Sequence, residues 1–123
     1  MNKCIFCMIR DGEVPSTIVY EDDKVLAFED INPRAPVHVV VIPKKHLETF
    51  VDLVEDSDEL MAAIMKACVQ VAKLKGVWVD ENARDGEQGF RVINNCGVKG
   101  GQVVWHVHMH VLGGKALCPS ESL

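Results

Sequence analysis

From residue 56 onward, apolar positions recur at steps of three and four. Leu60, Met61, Ile64, Met65, Cys68, Val71, Ala72 and Leu74 form one stripe at helical pitch, which predicts an amphipathic helix beginning at Asp56. Asp56 with Glu59 three residues later has the form of a capping box. Lys73 and Lys75 fall in the last turn, where the helix dipole favours cations, and Gly76 supplies the stop. Elsewhere the pattern shortens. Residues 18–20 and 24–28 predict a hairpin across the turn candidate Asp22-Asp23. Residues 37–42 are a β-branched run ended by Pro43, which predicts a strand buried on both faces or central in its sheet. Residues 90–94 and 103–112 predict two further strands. The connections carry breakers. Asn32-Pro33-Arg34-Ala35-Pro36 pauses regular structure, residues 79–88 read as an exposed acidic loop, and Gly97, Gly100 and Gly101 predict a tight loop. Residues 4–10 suit a short helix or turn, broken by Asp11-Gly12 and Pro15. Five strands with one long and one short helix, not strictly alternating, imply an α+β fold on a mainly antiparallel sheet.

Composition narrows the function classes. A chain of 123 residues, 48% hydrophobic and 25% charged, fits one domain able to bury a core without staples. The formal net charge of −5 argues against a nucleic-acid groove, which needs a basic stripe, yet leaves room for a small anionic ligand held by local donors. No segment is long and apolar enough to span a membrane, and the apolar run in residues 1–10 is too short for a signal peptide, so a cytoplasmic location is expected. Five cysteines, an odd count, do not read as a disulfide framework. Cys68 falls on the helical stripe as core filler, and neither Cys96 nor Cys118 receives a role.

Two motifs carry chemistry. In a strand, alternate residues share a face, so His106, His108 and His110 line one side, and Val107, Met109 and Val111 the other. Three imidazoles in a row, after a glycine-rich loop, offer a nucleophilic nitrogen, hydrogen-bond donors and a general acid near neutral pH. A solvated strand face and a His-x-His metal chelate are the bland readings; catalysis fits three histidines at period two better. The second motif is Cys4-Ile5-Phe6-Cys7. It suits a redox pair, a metal half-site that histidines must complete, or two ordinary thiols.

The first motif and its surroundings resemble a known family. His106-Val107-His108-Met109-His110-Val111-Leu112 has the His-φ-His-φ-His-φ-φ signature of the histidine triad (HIT) superfamily, φ being apolar. Asp30-Ile31-Asn32-Pro33, Pro36-Val37-His38, Ile42-Pro43-Lys44-Lys45-His46, Gly100-Gly101-Gln102 and Gly113-Gly114 extend the likeness from about Cys4 to Gly114. It is greatest to the Hint branch, the nucleoside phosphoramidases. The resemblance implies a HIT domain over residues 1–114, a C-terminal tail over 115–123, and a homodimer with a continuous ten-stranded sheet.

For function, the resemblance implies hydrolysis or transfer at the α-phosphorus of a purine nucleoside 5′-phosphoramidate. His108 would be the transiently nucleotidylated nucleophile. His106 would orient it through its backbone carbonyl, His110 would contact phosphate and leaving group, and His38 would support the triad from an adjacent strand. Asp30 would hold the ribose hydroxyls and Ile31 the base; read without the family, Asp30 is a turn residue. Asn95, Gly101, Gln102 and Val103 would lie along ribose and phosphate. Val103 departs from the family's usual Ser or Thr, so a hydroxyl near the leaving group is lost. The tail lacks the Trp frequent in the branch. The resemblance also implies structural zinc on Cys4, Cys7, His46 and His106, two thiolates and two imidazoles with no open position. Competing readings are a dinucleoside polyphosphate hydrolase, a weakly catalytic nucleotide-binding scaffold, and a zinc-stapled interaction module.

Overall fold

The valine-rich run at 37–42 becomes β3 (Val37–Pro43), the middle strand of a five-stranded antiparallel sheet ordered β1-β2-β3-β5-β4. The computed structural model describes residues 4–117; the chain runs α1 (Ile5–Arg10), β1 (Ile18–Glu21), β2 (Val25–Glu29), β3, α2 (Phe50–Asp56), α3 (Asp58–Leu74), β4 (Phe90–Ile93) and β5 (Met109–Gly113). Cys118 and the rest of the expected tail beyond residue 117 lie outside the described residues. Every residue of β3 is buried because alternate side chains enter different cores. Val37, Val39 and Val41 meet Ile64, Cys68 and Val71 of α3 together with Val107, Met109 and Val111. Val40 and Ile42 turn the other way, onto Phe6 of α1 and Leu26 and Phe28 of β2.

The predicted strands fall where the pattern places them, except at the triad. A strand over 103–112 is expected, but β5 begins only at Met109. The approach is bent because it is anchored elsewhere. Gln102 is buried and its side chain donates to the Glu48 and Val104 carbonyls and accepts from the Gly97 N–H, while the Val107 N–H bonds the Leu47 carbonyl at 2.7 Å, not a neighbouring strand. Period-two alternation survives this, and Val107, Met109 and Val111 enter the core as expected.

The long helix also starts differently. Ser57, not Asp56, is its N-cap, accepting from the Leu60 N–H at 3.1 Å. Asp56 ends the preceding α2 and takes the Lys45 ammonium. Here α2 occupies a stretch to which the hydrophobic pattern assigns no element. Its capping box is Thr49 with Asp52. The stop at Gly76 stands: its φ of +74° suits a left-handed residue just past Lys75, the C-cap.

Candidate functional site

The face of the sheet away from α3 carries the histidines. His110 lies opposite Val40 in the β3–β5 register, and Phe28 lies opposite Val40 in β2–β3. Directly paired residues share a face, so His38, two residues along β3, joins them. Fixed donors and acceptors then settle which nitrogen carries each proton. The Arg34 backbone N–H donates to His38 Nδ1 at 3.0 Å, so neutral His38 holds its proton on Nε2. That N–H faces His110 Nδ1 at 2.9 Å, which must accept, leaving the His110 proton on Nε2. His108 Nδ1 is 2.8 Å from the His106 carbonyl oxygen. A carbonyl only accepts, so His108 keeps its lone pair on Nε2. His106 Nε2 donates likewise to the Pro43 carbonyl at 2.7 Å, which leaves a lone pair on Nδ1.

Burial keeps these rings neutral. It lowers the pKa of His38 and of His108 below the usual imidazole value, though Asp30 pulls both back upward. For His110 burial, helped by the neighbouring His108 and His38, pushes the value down to about 4. Burial does the same to His106, again to about 4, against the opposing Pro43 bond. At pH 7 the site therefore offers one nucleophilic nitrogen, on His108, beside one N–H donor, on His110. The ring centres of these two are 4.9 Å apart.

The lone pair of His106 Nδ1 joins a second cluster. It lies 3.3 Å from Cys4 Sγ, 3.5 Å from Cys7 Sγ and 3.2 Å from His46 Nδ1. His46 Nδ1 is 3.5 and 3.3 Å from the same two sulfurs. A tetrahedron with zinc bonds of roughly 2.3 Å to sulfur and 2.0–2.1 Å to nitrogen has S–N edges of about 3.6 Å and N–N edges of about 3.3 Å. The four S–N distances and the N–N distance of the expected ligand set Cys4, Cys7, His46 and His106 thus fit such a centre. Asp30, His38 and His110 also place ligand atoms close together, but ring orientation separates the two groups. His38 and His110 have nitrogens 2.9 Å apart and ring centres 5.1 Å apart, so the rings face head-on, as in a hydrogen bond. His46 and His106 have nitrogens farther apart, at 3.2 Å, yet ring centres closer, at 4.9 Å. Those rings are turned out of line toward a third point, as two ligands of one ion are.

A cavity of about 360 Å³ opens over His38, His108 and His110, within the usual size for a small-molecule site. Phe6, Phe28 and Val40 give it an apolar wall. Asp30, Ile31, Asn95, Gly101 and Val103, all expected near a nucleotide, line it. Ile31 and Val103 stand at its mouth, 87% and 84% exposed. Gln102 is not among the lining residues; its amide is spent inward on the loop. His106 is fully buried behind the cavity and reaches it only through its carbonyl. Three participants escaped the sequence reading. Asn94 Nδ2 donates to the His108 carbonyl at 2.9 Å, Phe6 packs edge-on to the His108 ring at 5.0 Å, and Arg34 lines the cavity. The Cys-x-x-Cys pair could have pointed to Phe6, since any ion it holds fixes the residue between. Nothing in the pattern distinguishes Asn94 from Asn95.

Comparison with known proteins agrees with this geometry. The HIT domain family model matches residues 11–117. Purine nucleoside phosphoramidase of Escherichia coli (strain K12) is 38% identical over 117 residues, covering 95% of this chain and 92% of that protein. A 14 kDa zinc-binding protein of Zea mays is 42% identical over 115 residues, 92% of this chain and 83% of that protein. The crystal structure of a HIT family hydrolase from Legionella pneumophila Philadelphia 1 superposes with a TM-score of 0.84 at 41% identity, covering 96% of this chain and 98% of that one. By the family match and the extent of these likenesses, the chain belongs to the HIT domain family.

Proposed function

We propose that this chain hydrolyses purine nucleoside 5′-phosphoramidates through a covalent nucleotidyl-histidine intermediate on His108. The observation that carries the reading is the tautomer of His108: its Nδ1–H is spent on the His106 carbonyl at 2.8 Å, so the Nε2 lone pair is free within the cavity. In the first step Nε2 forms a bond to the α-phosphorus as the P–N bond breaks, and the leaving nitrogen takes a proton from solvent and departs as the amine. The cation that develops on His108 is stabilised by its Nδ1–H···O bond. His110 Nε2–H hydrogen-bonds the phosphate or the leaving nitrogen. In the second step water forms the P–O bond and gives up a proton to solvent as the P–Nε2 bond breaks, and the nucleoside monophosphate is released. Val103 contributes no hydroxyl, so assistance to the leaving amine falls to His110. Asp30 would accept from the ribose hydroxyls, with Ile31 against the base and Asn95 and the Gly101 backbone near ribose and phosphate.

Zinc on Cys4, Cys7, His46 and His106 would be structural, since four ligands close a tetrahedron; bound, it would supply charge neutralisation for the thiolates and no open coordination position. Thiolate ligands of this kind suit a reducing compartment, which supports a cytoplasmic location. A homodimer is supported by β4 lying at one edge of the sheet and by Met65 and Val69 remaining exposed on α3. The decisive experiment is mass spectrometry of the protein quenched during turnover. A nucleotide adduct on His108 is expected, together with loss of turnover in His108→Ala; turnover surviving that substitution would refute the mechanism.

A further inference from the structure

The cavity over His108 offers a substrate one permanent cation. Among the described residues that line it, Arg34 is the only Arg or Lys; the acidic ones are Glu29 and Asp30. Glu29 is already paired with Lys75 from the C-terminal end of α3. One oxygen of Asp30 accepts from the Asn32 N–H at 2.8 Å and the other faces His38 Nε2 at 3.4 Å. The guanidinium of Arg34 pairs with neither, and its one hydrogen bond among the described residues is that of its backbone N–H to His38 Nδ1.

Its mounting is rigid. Pro33 and Pro36 fix φ on both sides, Ala35 is buried, and the backbone bond to His38 ties the arch to β3. A planar five-donor fork, held on a stiff backbone at a ligand cavity and left unspent, is the group suited to bidentate capture of a carboxylate or phosphate. The Arg34 backbone N–H bonds His38 Nδ1, and His38 in turn faces His110, so Arg34 is mounted on the His38–His110 side of the cavity. The α-phosphate has its own donor there, His110 Nε2–H, while the N–H groups of Gly100, Gly101 and Gln102 are bonded within their loop.

We propose that Arg34 binds a second oxyanion of the substrate, a carboxylate or phosphate carried outside the α-phosphate, and so selects nucleotides that bear one. The inference rests on the reading of His108 as nucleophile at the α-phosphorus. The oxyanion has two possible sources, the departing amine or the ribose.

Two arms separate these sources. The first compares kcat/KM for adenosine 5′-phosphoramidates of glycine, which carries a carboxylate, and of ethanolamine, which is similar in size and neutral. The second measures Kd by calorimetry for adenosine 5′-monophosphate and for the 2′,5′- and 3′,5′-bisphosphates. In at least one arm the wild type favours the anion-bearing member by about tenfold or more, the worth of one charge-assisted pair. Arg34→Gln brings that ratio close to one, and Arg34→Lys, which keeps charge but not the fork, restores part of it. A response in the first arm places the anion on the amine; in the second, on the ribose. Ratios in both arms that are the same in wild type and Arg34→Gln overturn the proposal. Each ratio is taken within one protein, so partial unfolding of a variant cancels. The underlying reading is judged separately, by wild-type turnover of the ethanolamine compound and its loss in His108→Ala; the calorimetric arm stands even without turnover.

Discussion

His108 is gripped twice: its ring by the His106 carbonyl and its own carbonyl by Asn94. The neighbouring asparagines therefore divide the work, Asn94 holding the backbone of His108 and Asn95 lining the cavity. Asn94→Ala should lower kcat on the order of tenfold with little change in KM, because a misplaced nucleophile costs rate and not ground-state binding. Asn95→Ala should mainly raise KM; steady-state kinetics on both variants checks the split. The resemblance places Asn95 along ribose and phosphate but does not separate its role from that of Asn94, because adjacent side chains of the same type look identical in sequence. The same blindness placed Gln102 at the phosphate although its amide turns inward. His110 gives a second prediction. Burial lowers its pKa from 6.5 to about 4 in the folded chain, so the unfolded chain binds a proton first as pH falls. Its contribution to stability is complete above pH 6.5 and is lost between there and about 4. Urea midpoints for wild type and His110→Asn should converge on moving from pH 7 to pH 4.5. Parallel midpoints across that range would mean that His110 titrates normally.

At the level of elements, the segments that depend on local periodicity were legible and those that depend on distant anchors were not. The stripe through α3 and the valine run of β3 announce themselves because each buries a regular set of side chains. The seven residues of α2 bury only Leu53 and leave Phe50, Val51 and Val54 exposed, so they show no stripe. Nor does the sequence tell that β5 must wait until Met109, since the bonds that bend residues 102–108 run to Glu48 and Leu47, far away in the chain. The Gly97–Gly101 loop lies between these extremes. Its glycines predict a tight turn, and Gly101, at φ +85°, adopts a conformation that favours glycine. Gly100 has a steric reason instead: a Cβ there would fall 2.2 Å from the Cys96 carbonyl oxygen, a backbone atom that cannot move aside cheaply. Gly100→Ala must open the loop, and with it the Gly97–Gln102 bonds that hold Val103 at the cavity mouth. A stability loss of about 1–3 kcal/mol is expected, with a raised KM. Chemical denaturation and initial rates measure the two effects, and a variant matching wild type in both would show that the loop is not needed in its present form.

Across the whole molecule, His106 is the residue at which two centres meet. Its carbonyl accepts from the His108 ring, its Nε2 donates to Pro43 at the end of β3, and its Nδ1 converges with Cys4, Cys7 and His46. The same two cysteines bracket Phe6, which packs on His108 at 5.0 Å and on Phe28 at 5.4 Å. A metal held there would tie α1 to the sheet and clamp the nucleophile from two sides, by backbone and by aromatic edge. Metal removal should therefore reach beyond α1. With free zinc a thousandfold above Kd, losing the ion costs about 4 kcal/mol, and Tm should fall on the order of 10 °C. Cys7→Ser, or chelation of the wild type, should abolish bound zinc as measured by atomic emission and lower Tm by that amount. Turnover should fall with kcat changing more than KM, since the loosened groups orient His108 and only Phe6 among them lines the cavity. The His108 ring nitrogens, followed by NMR, should lose the single-tautomer signature that the His106 carbonyl imposes. A metal-free protein that keeps its Tm, its kcat and one His108 tautomer would show that α1 is anchored by Phe6 packing alone.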